Sequence, residues 1–221
     1  MKKAAKGVSG VLCALAALLR VIALLMTSVQ LVGQSKGYFT RAHEKLNTAE
    51  KIGVSAADFD LISDAVMDYL QGDRDDLDVQ ATFAGQMQEV FTDAEKLHLV
   101  DTYMLLRSVA AVRDWCALGF AVCMLAAYLL RGNGFTKYCA KTVLIVSFCT
   151  AVVLAVLTML VGAGKAAPAQ DAVVLAQLLS NTYLSVLIRD ITLIFAAGVF
   201  AVCVACALVL FAGKKGETHA V

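Results

Sequence analysis

Several common stabilising and catalytic features are missing from this sequence. Residues 33–107 hold no cysteine; all seven cysteines (13, 116, 123, 139, 149, 203 and 206) lie in or beside apolar runs. No disulfide framework therefore holds that segment. Neither proline nor glycine occurs between Thr92 and Trp115, so nothing stops a helix that starts near Thr92 from running on to about Leu130. "GDRDDLDV" (72–79) supplies Asp73, Asp75, Asp76 and Asp78 but lacks an EF-hand's sixth-position glycine, and Ala84 stands where a bidentate Glu closes such a loop. It reads as a solvated acidic turn rather than a calcium site. No internal repeat and no broken helix is visible, and the apolar runs carry few paired charges, which argues against a transporter. Histidine is scarce, with only His43, His98 and His219.

Apolar sequence is abundant. The chain is 60% hydrophobic with a mean hydropathy of +0.74. The excess falls into four runs, about 8–32, 108–130, 139–162 and 191–212, each near the ~20 residues that cross a bilayer. The first is too long for a cleaved signal peptide, is interrupted by Arg20 and ends in no small-x-small site. Leu12 before Cys13 is too bulky for a lipoprotein signal. Lys2, Lys3 and Lys6, then Arg131, Lys137 and Lys141, then Lys214 and Lys215 fall on one side of four crossings. That side is predicted to be cytoplasmic, with both termini. Residues 33–107 carry fourteen Asp/Glu against seven Lys/Arg and are predicted to face out. The expected fold class is an all-α membrane protein with four transmembrane helices and a helical extracytoplasmic domain. Its expected divisions are 1–32 (N-terminus and span 1), 33–107 (outer domain), 108–162 (spans 2 and 3), 163–190 (outer interfacial segment) and 191–221 (span 4 and tail).

Within the outer domain, Ser55 and Asp58 form a capping-box-like helix start and Gly72 a stop. Phe59, Ile62, Val66 and Leu70 make one apolar stripe, predicted to pack on Tyr38–Ile52 and Val90–Leu97. Residues 170–188 read as a short interfacial helix or re-entrant segment started by Pro168. Cys203-x-x-Cys206 lies in an apolar helix and reads as small-residue packing. Arg20, near mid-span, is either functional or snorkelling. Arg113 and Asp114, with Trp115 as interfacial anchor, and Arg189 and Asp190 are placed to pair and to line an outer vestibule.

In "FTDAEKLHLVD" (91–101), Glu95, His98 and Asp101 sit three apart on one helix. A carboxylate beside imidazole raises its pKa and fixes its tautomer, as a general base requires. Alternatively, Glu95 caps the helix and His98 is an exposed polar residue. The order of elements resembles a known family. A first span precedes "GYFTRAHEKLNTAEKIGVSAADFDLISDAVMDYLQG"; then come an acidic gap, Glu-x-x-His-apolar-x-Asp and three more spans. It looks like the lipoprotein intramolecular transacylase (Lit) family of four-span bacterial membrane proteins, over most of residues 1–162.

The resemblance implies transfer of an acyl chain from the sn-2 ester of a lipoprotein's diacylglyceryl-Cys to its own N-terminal amine, giving a lyso-lipoprotein. It implies a place in the bacterial cytoplasmic membrane, with membrane phospholipid around it and a diacyl-lipoprotein as substrate. It implies no nucleic acid, no metal and no cofactor. His98 is then the base and Asp101 or Glu95 its orienter. Tyr38, Arg113, Asn181, Tyr183 and Arg189 are candidates for substrate contact. The family places a second His after its third span; this chain has an apolar residue near Val174–Leu175 instead. Either one histidine suffices, or His43 takes the second role, or the chain is a non-catalytic scaffold binding lipid or a partner. A straight helix would also lift His98 ~20 Å above a membrane core ending near Val112, so the helix is expected to tilt, break or enter the membrane earlier.

Overall fold

The structure, a computed structural model, describes residues 2–83, 86–132, 135–162, 178 and 181–215, with side chains for 5–83, 86–132, 135–153, 178 and 183–211. In chain order the elements are α1 (Lys2–Gly33), α2 (Lys36–Lys45), α3 (Thr48–Ile52), α4 (Ala56–Gln71), β1 (Gln80–Phe83), β2 (Gln86–Glu89), α5 (Asp93–Arg131), α6 (Phe135–Gly162) and α7 (Asn181–Lys215). Among the described residues four helices are long and apolar enough to cross a membrane, over Ala5–Gly33, Asp93–Arg131, Phe135–Val153 and Tyr183–Phe211. The 39 residues of α5 extend ~58 Å at 1.5 Å each, about twice a ~30 Å hydrocarbon core. The helix is unbroken, as the lack of Pro and Gly between Thr92 and Trp115 predicts, which removes the break from the three ways of bringing His98 to a bilayer. Residues 181–188, expected in a separate interfacial segment, are the first turns of α7. "NTYLSVLIRDITL" holds no Pro or Gly to end a helix. Pro168 and the remainder of 170–180, Leu178 excepted, lie outside the described residues.

The contacts divide the chain into two units. One comprises Met1–Ser28, Ala111–Gly164 and Thr192–Val221. Its interior is built largely from small side chains: Ser9, Cys13, Ala16 and Ala17 of α1, Ala127 of α5, and Cys139, Ala140 and Ser147 of α6 are buried. Small residues let helices approach where lipid gives no hydrophobic drive. Gly10 shows this directly, since a Cβ there would fall 2.9 Å from the Tyr138 hydroxyl. The Ser9 hydroxyl donates to the Ala127 carbonyl (3.3 Å). Arg20 donates through Nη2 to Ser147 Oγ at 2.6 Å, while its buried Nε and Nη1 have no partner among the described residues. Leu118, Val122, Leu125, Leu129, Phe148 and Phe200 point outward, the apolar surface expected of a lipid-facing bundle. Cys203 and Cys206 are half-buried free thiols.

The other unit comprises Val29–Ala110 and Lys165–Ile191. Ser55 Oγ accepts the Asp58 N–H at 3.1 Å, and Gly72 ends α4 at φ 85°, both as predicted. The stripe of Phe59, Ile62, Val66 and Leu70 is buried against Phe39, Ala42, Val54, Val90, Phe91 and Leu99. The unit is not wholly helical, however. Residues 80–83 and 86–89 pair as an antiparallel hairpin, Gln80 opposite Glu89 and Phe83 opposite Gln86. The acidic turn is held by ion pairs rather than solvated alone. Asp76 accepts from Arg74 (Nε, 2.9 Å), which holds its carboxyl below the usual range. Lys96 bridges Asp78 (2.6 Å) and Glu89, so the start of α5 is tied to both the turn and the hairpin.

Candidate functional site

The first turn of α5 explains where His98 stands. Thr92 and Glu95 satisfy each other's orphan groups: the Thr92 N–H and hydroxyl both donate to Glu95 Oε2 at 2.9 Å, and the Glu95 N–H donates to Thr92 Oγ1 at 3.4 Å. This is a full capping box. Glu95 is 4% exposed and shares its buried stripe with Leu99 and Leu106. At ~100° per residue His98 lies ~60° off Glu95, and Asp101 ~60° further round. Both are exposed. The His98 ring has no hydrogen-bond partner among the described residues; only its backbone carbonyl is engaged, by the Thr102 hydroxyl (2.9 Å). The expected imidazole–carboxylate hydrogen bond is thus not formed here, and Glu95 Oε2 accepts from Thr92 at the helix cap.

His43 differs in every respect. Its side chain is fully buried. Tyr183 stacks on it at 4.4 Å and 18°, and Phe39 lies 4.3 Å away, tilted. Nδ1 bonds Thr48 Oγ1 at 3.0 Å, while the buried Nε2 has no partner. Burial pushes the imidazole down to about 4, because a desolvated cation is disfavoured. The ring is a neutral core residue, closed to substrate. Tyr183, expected to touch substrate, is 5% exposed and belongs to the same aromatic cluster.

Tyr38 and Arg189 do come together. α2 begins where Ser35 Oγ accepts the Tyr38 N–H (3.3 Å). The Tyr38 hydroxyl donates to Asp190 Oδ2 (3.0 Å), and Arg189 Nε donates to Asp190 Oδ1 (3.0 Å). Burial first, then the Asp190 carboxylate, pushes the Tyr38 phenol up to about 12, so it is a donor and not a base. These residues line a groove of about 290 Å³ with Ser35, Arg41 and Lys45. Sequence reasoning passed over Arg41 and Lys45. Their i,i+4 spacing on a short helix straight after an apolar run was the available signal. Arg113 pairs with Asp114, its own neighbour, at 2.7 Å, in the other unit. The Asn181 side chain and His219 lie outside the described residues. Among the described residues no group of three or more His, Cys, Asp or Glu is placed to hold a metal ion.

Comparison with known proteins accords with this arrangement. Among curated proteins none matches. The structure of the membrane integral lipoprotein intramolecular transacylase Lit from Bacillus cereus is similar at TM-score 0.64 and 12% identity, covering 94% of this chain and 97% of that one. A histidine-to-alanine variant of the same protein gives TM-score 0.66 at 9% identity, covering 94% and 96%. A histidine-to-arginine variant gives 0.64 at 9%, covering 96% and 94%. At these identities the likeness carries the fold alone. The family model described as lipoprotein intramolecular transacylase Lit matches residues 14–164, well over half the chain and the stretch that holds α2 to α5. This chain therefore belongs to the lipoprotein intramolecular transacylase family of membrane proteins.

Proposed function

We propose that this transacylase moves an acyl chain from the sn-2 oxygen of a lipoprotein's diacylglyceryl-Cys to that Cys's own amine, with His98 as the base. In this reading the bacterial cytoplasmic membrane holds the four spans, both termini are cytoplasmic and residues 33–107 lie outside. The observation that carries the assignment is access. An ester can reach only an imidazole that is not sealed in, and of the two described histidines His98 is exposed while His43 is buried on every side.

The chemistry is aminolysis of an ester. His98 takes a proton from the ammonium, and the freed nitrogen attacks the sn-2 carbonyl carbon. The C–O bond to glycerol breaks, and the imidazolium returns the proton to the departing glyceryl oxygen. The products are an amide and a free sn-2 hydroxyl; the second proton of the attacking nitrogen passes to the imidazole and on to water, so charge and protons balance. Asp101, exposed one turn on, is the proposed orienter of the ring; Glu95 fixes the start of the helix that carries it. Arg189, 67% exposed and still rich in free N–H after its bond to Asp190, is the proposed donor to the tetrahedral oxyanion. Because amine and ester sit in one substrate, proximity is largely supplied in advance.

The test is expression in a strain lacking its N-acylating enzymes, with mass analysis of lipoprotein N-termini. Lyso forms are expected with the unaltered chain and with His219→Ala or His43→Phe, and none with His98→Ala. Diacyl forms left unchanged by the unaltered chain would instead favour a scaffold that binds lipid or a partner without turnover.

A further inference from the structure

The groove on α2 holds a charge arrangement that acyl transfer does not use. The segment 33–107 has fourteen carboxylates for seven cations, so partners for a cation are easy to find. Lys36 takes two, Asp64 at 2.9 Å and Asp68 at 3.9 Å; Lys96 takes two; Arg74 takes one. Arg41 and Lys45, on the same helix as Lys36, have no carboxylate partner among the described residues, although Glu44 lies between them in sequence. Both are exposed and line the groove. The groove's one acid, Asp190, is already satisfied by Arg189 and Tyr38. The Ser35 hydroxyl accepts the Tyr38 N–H and keeps its own proton to donate. An uncompensated pair of cations, a hydroxyl donor and a neutralised acid are what an anionic oxygen cluster requires. Ala42, Leu46 and Val186 give the same groove an apolar part.

The position selects the anion. Ser35 follows the apolar helix α1 by two residues, and Arg189 and Asp190 lie within the apolar α7. Charged residues adjoining membrane-crossing runs meet lipid phosphates, each cation adding appreciably to anionic-lipid affinity. At about 290 Å³ the groove is slightly smaller than sites for drug-sized ligands, suited to a headgroup with an apolar part for the first methylenes. We propose that Arg41, Lys45 and the Ser35 hydroxyl seat the phosphodiester of an anionic phospholipid such as phosphatidylglycerol. The site shares Arg189 with the proposed acyl-transfer machinery, but Arg41, Lys45 and Ser35 take no part in that reaction, and the ligand differs, because a diacylglyceryl-Cys carries no phosphate.

The experiment titrates the full chain, in non-ionic detergent at near-physiological salt, with short-chain phosphatidylglycerol, short-chain phosphatidylcholine and inorganic phosphate, by calorimetry. Arg41→Gln/Lys45→Gln is compared with Lys51→Gln/Lys141→Gln, which removes the same charge from two exposed positions elsewhere. Circular dichroism confirms that both fold. Phosphatidylglycerol is expected to bind at least about tenfold more tightly than either other ligand. The groove variant should lose about tenfold or more of that affinity, and the control less than twofold. Equal binding of the two lipids, equal binding of free phosphate, an unaffected groove variant or an equally weakened control each overturns the proposal.

Discussion

Lowering the pH should destabilise this protein through one buried ring, and His43→Phe should abolish that part of the loss. In the folded chain burial holds the His43 imidazole near 4, against an ordinary value of 6.5. Above pH ~6.5 the ring is neutral folded or unfolded and contributes no pH dependence. Between 6.5 and 4 the unfolded chain binds a proton that the folded chain refuses, so stability falls with pH. Below ~4 the loss is complete, at ~1.4 kcal/mol per pH unit, or ~3 kcal/mol in all. For a chain of this size that corresponds to a Tm lower by ~6–12 °C. His43→Phe keeps the ring contacts to Tyr183 and Phe39, gives up the Thr48 bond at a cost of ~1 kcal/mol, and removes the orphaned Nε2, which offsets part of it. Its stability at pH 8 should therefore lie within ~1–2 kcal/mol of the unaltered chain. Thermal unfolding by circular dichroism in neutral detergent, from pH 8 to 4, supplies the comparison. The contribution of Asp76, whose carboxyl Arg74 holds low, is common to both proteins and cancels. Parallel Tm-versus-pH curves for the two would refute the claim that His43 is held neutral by burial.

Other expectations concern single contacts. Thr92→Ala removes one half of the α5 capping box and should cost ~1 kcal/mol in chemical or thermal unfolding, a loss that Thr92→Ser largely restores. Gly72→Ala places a Cβ at φ 85° and should lower stability by ~1 kcal/mol, whereas Gly→Ala at an open helical position raises it. Ser147→Ala leaves a third guanidinium nitrogen of Arg20 without a hydrogen bond and should cost ~1–3 kcal/mol; a cost below the error of measurement would mean that water or lipid already solvates Arg20. Lys96→Met should shift thermal unfolding only slightly, and less still at high salt, because its ion pairs are largely exposed.

Much of the helix α4 was legible in the sequence because its signals are local. Ser55, the 3.6-residue stripe and Gly72 act over one to four residues and survive any arrangement of the rest. The same holds for the Thr92–Glu95 cap and the unbroken α5. The hairpin at 80–89 was not legible. Its strands are four residues each, too short for alternation to outweigh the helical pattern around them, and Gln-rich strands of this length have little intrinsic preference to declare. The start of α7 was likewise missed, because an apolar window centred on 191–212 is blind to polar turns that merely extend the same helix.

The sequence by itself determined the four apolar helices, their continuity and the caps, since hydropathy and missing helix breakers are properties of consecutive residues. It also carried the Glu95–His98–Asp101 spacing by which the family resemblance is read. What only the tertiary structure decided is which histidine is open and which is sealed, and which carboxylate is already spent. Residue spacing puts Glu95 and His98 on one helix, but the packing of Leu99 and Leu106 sets which side turns inward. Likewise Tyr38 and Asp190 stand 152 positions apart; only folding brings such groups within reach, because a hydrogen bond depends on distance in space and leaves no trace in the order of residues.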